Sequence, residues 1–303
     1  MARVNMPTQN KTNKNMATPP KASIKHFITA KLTILSFLFA STATPLNGQI
    51  TYEQIIEQAL IASQNDEIDQ ADSLFRQALK LNPSDMRNAL IYYNIALLQL
   101  KKGDKMKALA HLTTAVGITP HNIPILKARA DLYLQLGNQG KALRDYTTII
   151  DLAPNHQEAL LARAFIYQQR REYYNAQQDY QRLLAAHPDN YTALLGIAIL
   201  FQNAGKPKEA ITRLSLLIDQ YPDKAELYSI RAEIEKEAGH SDLAIMDLDK
   251  AIQLEPTNKN MLLSRAYIHL DNDNKRLARQ DFLRAIELGV PQGQLLEELK
   301  KCK

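Results

Sequence analysis

Residues 123–156 read IPILKARADLYLQLGNQGKALRDYTTIIDLAPNH. Leu126, Ala130 and Tyr133 recur at i, i+4 and i+7, which places them on one face of a helix. Gly137 ends that helix, since a left-handed closing residue is easiest for glycine. Ala142, Tyr146 and Ile149 form the face of a second helix, which Pro154 stops. The unit is a helix, a tight turn and a helix. Ala130 and Ala142 stand where the two helices must come close. One such pair cannot bury its apolar stripes alone, so it needs neighbours.

The neighbours are in the chain. Closing prolines fall at Pro83, Pro120, Pro154, Pro188, Pro222 and Pro256, and from Pro120 each step is 34 residues. One more step reaches Val290, just before Pro291. The small residue of the second helix recurs as Ala71, Ala108, Ala142, Ala176, Ala210, Ala244 and Ala278. Four places on stand Phe75, Leu112, Tyr146, Tyr180, Leu214, Leu248 and Phe282. A period of this length marks a stacked repeat array.

At these residues the chain resembles the tetratricopeptide repeat family over about residues 52–292, seven repeats in all. The resemblance implies an all-α, right-handed superhelical solenoid of seven helix-turn-helix repeats. Their bounds fall near 52–85, 89–122, 123–156, 157–190, 191–224, 225–258 and 259–292. Leu295, Leu296 and Leu299 then predict a short amphipathic capping helix within 293–303, with Glu297, Glu298 and Lys300 outside. There are departures from the family pattern. The chain has no tryptophan, and Asp66, Arg171 and Asp273 replace the turn glycine in three repeats. Three extra residues precede the second repeat.

Residues 1–48 carry six basic residues and no acidic one. Lys31 precedes a run at 32–40, LTILSFLFA, followed by Ser41, Thr42 and Ala43. Positive charge, a short apolar run and small residues make the layout of a secretory signal peptide. Nine residues are too few to span a bilayer, which takes about 20. The expectation is a leader over 1–48, with cleavage after Ala43 or Gly48 and export to the periplasm or exterior of a Gram-negative bacterium. No transmembrane segment is expected in the mature chain. Outside the leader stand 31 of the 37 basic residues against all 32 acidic ones, so a phosphate-binding surface and a nucleic-acid partner are unsupported. The single cysteine, Cys302, can form no intramolecular disulfide and reads as incidental.

Four repeats place an arginine before the small residue of the first helix: Arg129, Arg163, Arg231 and Arg265. The same four place an aspartate 16 residues later: Asp145, Asp179, Asp247 and Asp281. The other three lack both, with Gln58 and Leu74, Ile95 and His111, and Ile197 and Arg213 at those positions. Paired presence and absence predicts an Arg–Asp contact within a repeat or across to the next, serving register and packing. Anion binding by spare arginine donors is the alternative.

The resemblance also implies a concave groove lined by the first helices, at positions about 100° from the packing face. These are Tyr93 and Leu97; Lys127, Asp131 and Leu134; Leu161 and Phe165; Leu195, Ile199 and Gln202; Ser229 and Glu233; Leu263 and Tyr267. An apolar strip from Leu161 to Ile199 suits a peptide or an amphipathic helix of a partner protein. The alternative is that winding buries these side chains between repeats. Asn94 and Lys127 alone do not make a clamp for a peptide carboxylate.

Catalytic and metal-binding spacings are missing. His121, His156 and His187 sit near repeat junctions, with no His-Glu-x-x-His run. Asp271–Asn274 opens like a calcium loop, but Lys275 and Arg276 occupy the next two places, where a ligand and a glycine are needed. Asn203–Lys206 is a helix stop, not a phosphate loop. No nucleophile has a base and an orienting group. The expected function is a non-enzymatic protein-binding scaffold without cofactor or metal. The alternative is a cell-envelope accessory linked to glycan uptake or to cell-wall or outer-membrane assembly.

Overall fold

The computed structural model describes residues 50–303, so the leader expected over 1–48 lies outside the described residues. The described chain has 15 α-helices and no strand. It divides into two compact units that meet in sequence at Pro120 and His121. The first holds α1 (Tyr52–Gln64), α2 (Ile68–Leu81), α3 (Asn88–Lys101) and α4 (Lys105–Ile118). The second holds α5 (Ile123–Gln135), α6 (Gln139–Leu152), α7 (Gln157–Gln169), α8 (Tyr173–Ala186), α9 (Tyr191–Asn203) and α10 (Pro207–Gln220). It continues with α11 (Ala225–Glu237), α12 (Ser241–Leu254), α13 (Lys259–Asp271) and α14 (Lys275–Glu287), then a 3₁₀ turn (Gln292–Leu295) and α15 (Leu296–Lys301). Within each unit, consecutive helices pack as hairpins, and each hairpin packs on the next.

Local chemistry fixes the helix ends. The α1 cap is a capping box: Thr51 Oγ1 accepts from the Gln54 amide and the Gln54 side chain accepts from the Thr51 amide. Asn122, Asn138 and Asn190 cap α5, α6 and α9 by accepting from the amide three residues on. His156 does the same for α7 through Nδ1, at 3.3 Å from the Ala159 amide. That histidine is therefore a cap, with its proton on the other nitrogen.

Each hairpin turn contains a left-handed residue. Gly103, Gly137, Gly205 and Gly239 supply it in four hairpins. In the other three it falls on Asp66, Arg171 and Asp273, with φ of 64°, 61° and 59°. The turn geometry is thus kept where glycine is lost, at a cost of about 1–2 kcal/mol for a residue with a Cβ. Aspartate tolerates this conformation better than arginine, so Arg171 is the most strained of the three.

The seven alanines of the second helices are all fully buried, and so are Phe75, Tyr146 and Phe282 four places on. Tyr180 is also buried, and its ring lies over Gly196 of the next hairpin. A Cβ built on that glycine would sit 2.5 Å from Tyr180 Cζ, which explains why α9 has glycine there.

The chain end departs from the simple amphipathic reading. Leu295 is buried but Leu296 is 47 % exposed, and Cys302 is buried in the core of the second unit. The 3₁₀ turn delays the α-helix to Leu296, so the inward face is Leu295, Leu299 and Cys302, at i, i+4 and i+7. Cys302 is a packing residue, not an incidental one.

Candidate functional site: the first-helix face of the repeats

The arginine–aspartate pairs are bidentate. Arg129 places Nε 2.8 Å and Nη2 2.7 Å from the two oxygens of Asp145. Arg163–Asp179, Arg231–Asp247 and Arg265–Asp281 repeat this with the same atoms. All four aspartates are buried, and hydrogen bonding to them holds each arginine above its ordinary pKa against the pull of burial. Three of the arginines also reach back 16 residues with Nη1. Arg163 donates to Thr147 (3.2 Å), Arg231 to Ser215 (2.8 Å) and Arg265 to Asp249. Each of the three thus ties its own hairpin to the second helix of the hairpin before it. The sequence signal was available, since residues 147, 215 and 249 are all polar. The arginine donors are directed at protein groups, which favours packing over anion binding.

The positions assigned to the groove fall into different environments. Tyr93, Leu97, Leu161 and Leu195 are buried, so they contribute packing and not an open wall. Leu134, Phe165, Ile199, Gln202, Ser229 and Leu263 are half-buried, while Glu233 and Tyr267 are exposed. Ile199 and Leu263 pack on the core of the second unit with one side and leave the other open. Tyr267 is held edge-on by Phe282, with ring centres 5.3 Å apart. Asn94 is buried and donates to the Leu90 carbonyl, so it has no hand in carboxylate binding.

Lys127 and Asp131 belong to a closed network. Lys127 Nζ lies 2.9 Å from Asp131 and 3.2 Å from Glu158 of the next hairpin. The hydroxyl of buried Tyr146 donates to the other Asp131 oxygen at 2.5 Å. Burial alone would lower the Lys127 pKa, but Asp131 and then Glu158 hold it above its ordinary value. Burial, reinforced by Asp131, raises that of Tyr146. The spacing predicts Tyr146 as a core ring and carries no signal for the bond its hydroxyl makes to Asp131.

Among the described residues no group of histidine, cysteine and acidic side chains could hold a metal ion. His269 is buried with no partner for Nδ1, and burial lowers its pKa. No helix among them is long and apolar enough to cross a membrane.

Sequence models described as tetratricopeptide repeat match residues 56–123, 128–156 and 167–234. The crystal structure of a tetratricopeptide repeat protein from Parabacteroides merdae is 31 % identical, with 83 % of this chain and 98 % of that one covered at a TM-score of 0.64. The chain belongs to the tetratricopeptide repeat family. The C-terminal part of a TPR repeat-containing protein from Cytophaga hutchinsonii shares the fold at 14 % identity, with coverage of 77 % and 95 % and a TM-score of 0.62. The Cut9–Hcn1 hetero-tetramer shares it at 15 % identity, with coverage of 85 % of this chain and 49 % of the other and a TM-score of 0.53. No curated protein matches. As a tetratricopeptide repeat protein, the chain has the fold of a protein–protein interaction scaffold, and no catalytic family is indicated. Members of such a family differ through side chains placed on a shared frame, so specificity has to be read from the open first-helix positions.

Proposed function

We propose that this protein is an exported, non-enzymatic scaffold that holds a peptide or an amphipathic helix of a partner protein along the first helices of its second unit. The observation that carries this reading is the half-open apolar pair Phe165 and Ile199, at the same place in two successive hairpins, with half-open Leu263 two hairpins further on; Ile199 and Leu263 are backed by core on one side. Half-open apolar side chains on first helices of the same stack fit the anchor residues of a docked segment. The charge, apolar and small-residue order of 1–48 supports export to the periplasm or beyond. A glycan-binding role in the envelope would call for clustered aromatic faces. Tyr93 is buried, and Phe165 and Tyr267 belong to hairpins three steps apart.

The test uses residues 49–303 as bait in an envelope fraction, with mass spectrometry of what is retained. Phe165→Asp with Ile199→Asp should abolish capture while the circular dichroism spectrum stays helical. Unchanged capture would place the binding surface elsewhere. Export is tested by joining residues 1–48 to a reporter enzyme that is active only outside the cytoplasm; an inactive reporter would reject that part.

A further inference from the structure

The second unit stacks five hairpins, α5–α6 to α13–α14, through four junctions. Polar side-chain bonds cross three of them. Arg163 to Thr147 and Lys127 to Glu158 join the α5–α6 hairpin to α7. Arg231 to Ser215 and Tyr191 to Glu226 join the α9–α10 hairpin to α11. Arg265 to Asp249 and Lys236 to Asp271 join the α11–α12 hairpin to α13. At the fourth junction α9 packs on α8 as its counterparts do elsewhere. No hydrogen bond or ion pair between side chains crosses it among the described residues.

The residues at that junction account for the difference. The arginine's place in α9 holds Ile197, which is buried, and the aspartate's place in α10 holds Arg213, which is exposed. The place that accepts the backward bond as Thr147, Ser215 or Asp249 holds Gln181 here, and it is exposed. Polar bonds demand narrow distances and angles, whereas apolar contact is non-directional. A surface held by contact alone resists separation without fixing its register. The largest side chain at the contact adds to this freedom. Tyr180 donates its hydroxyl to Gln168 of its own hairpin and lays its ring over Gly196, which offers no Cβ to interlock with it. A flat ring on bare backbone suits shear, the small sliding of packed helices.

We propose that the α8–α9 junction is the joint of the second unit, where hairpins 157–190 and 191–224 slide on one another while the other three junctions keep their register. Phe165 and Ile199 stand on opposite sides of it, so sliding changes the span between them. The row thereby adjusts to the anchor spacing of the segment it holds. That consequence rests on the reading of the pair as anchors; the joint itself does not.

Spin-label distances test the joint in a Cys302→Ser background. Tyr174→Cys with Lys208→Cys puts labels at equivalent exposed places of α8 and α10, one on each side of the joint. Lys208→Cys with Asp242→Cys does the same for α10 and α12, across a tied junction. Pulsed double electron–electron resonance should give a distribution broader by about 1–2 Å for the first pair, the size of shifts between packed helices. Equal widths overturn the proposal. Gln181→Ser, Ile197→Arg and Arg213→Asp together copy the Ser215, Arg231 and Asp247 arrangement into the joint. They should narrow the first distribution to the width of the second. A variant that keeps its helical circular dichroism and its broad first distribution overturns the proposal. If that variant does not fold, the reverse change decides. Tyr191→Phe with Ser215→Ala removes the two bonds across the tied junction, keeps the buried Arg231–Asp247 pair and should broaden the second distribution. An unchanged second width overturns the proposal. No partner is present in these measurements, so the joint stands or fails apart from the docking reading, which the capture experiment tests.

Discussion

The α5–α6 and α11–α12 hairpins share a frame and differ in how they treat charge. Both have the buried bidentate ion pair, Arg129–Asp145 in one and Arg231–Asp247 in the other. Both have a carboxylate at the same outward place of the first helix. In α5 that carboxylate is enclosed by Lys127 and the Tyr146 hydroxyl, with Glu158 sharing the lysine. In α11 it has no such partner among the described residues, and leucine stands where Tyr146 stands. The lesson is that one place in the repeat can be closed by internal partners or left open, depending on the residue four before it and the residue of the second helix beneath it.

The largest expected effect concerns what the two hairpins share. Asp145→Ala and Asp247→Ala should each cost about 3–5 kcal/mol, because each strands a largely buried guanidinium. Denaturant unfolding measures this, with hydrogen exchange to localise the loss. A cost far smaller in α11–α12 would show that its ion pair is not equivalent to the first.

Next comes the step that makes the two hairpins alike. Lys127→Met keeps the length of the side chain and removes its charge, leaving Asp131 and Glu158 without their cation. A loss of about 1.5–3 kcal/mol is expected, the worth of hydrogen bonds to a charged group. The pKa of Tyr146 should stay high, since burial is its main cause. Ultraviolet titration of the phenol checks this.

A smaller effect comes from the reverse exchange. Ser229→Lys gives Glu233 the internal partner that Asp131 has, and a helical pair of this spacing contributes about 0.2–0.5 kcal/mol. The variant should be slightly more stable than the parent in denaturant unfolding. No gain would mean that the new lysine does not reach the Glu233 carboxylate.

The smallest effect is a dependence on pH. The folded-state pKa of Glu233 is raised, so the folded protein holds its proton to higher pH than the unfolded chain does. The glutamate therefore favours folding most when protonated, and that advantage is lost as pH rises from the unfolded pKa through the raised folded one. Comparing melting temperatures of parent and Glu233→Gln across this range should show the variant gaining relative stability as pH rises. A flat difference would mean that the carboxyl is no more desolvated than in the unfolded chain.

Much of this frame was legible because a repeat states its pattern several times. The alanine at seven equivalent places, the proline after each second helix and the joint appearance of arginine with aspartate could be read without coordinates. The turn residues Asp66, Arg171 and Asp273 were legible too, as replacements for a glycine whose conformation they adopt. Exposure was less readable. Leu161 and Leu195 look the same in sequence as Leu263, yet the first two are buried and the third stays half-open. The sequence spacing predicts Leu296 on the inward face, and the structure leaves it exposed, because a single 3₁₀ turn shifts the helix phase without leaving a strong mark in composition.

The sequence by itself determined the order and length of the helices, the positions of their turns and the arginine–aspartate register, because these depend on spacing along one chain. Tertiary structure alone decided which outward residues stay open, which polar groups find partners, and that each bridging arginine reaches two neighbours instead of one. Those outcomes depend on distances between side chains far apart in sequence, and a periodicity constrains such distances without setting them.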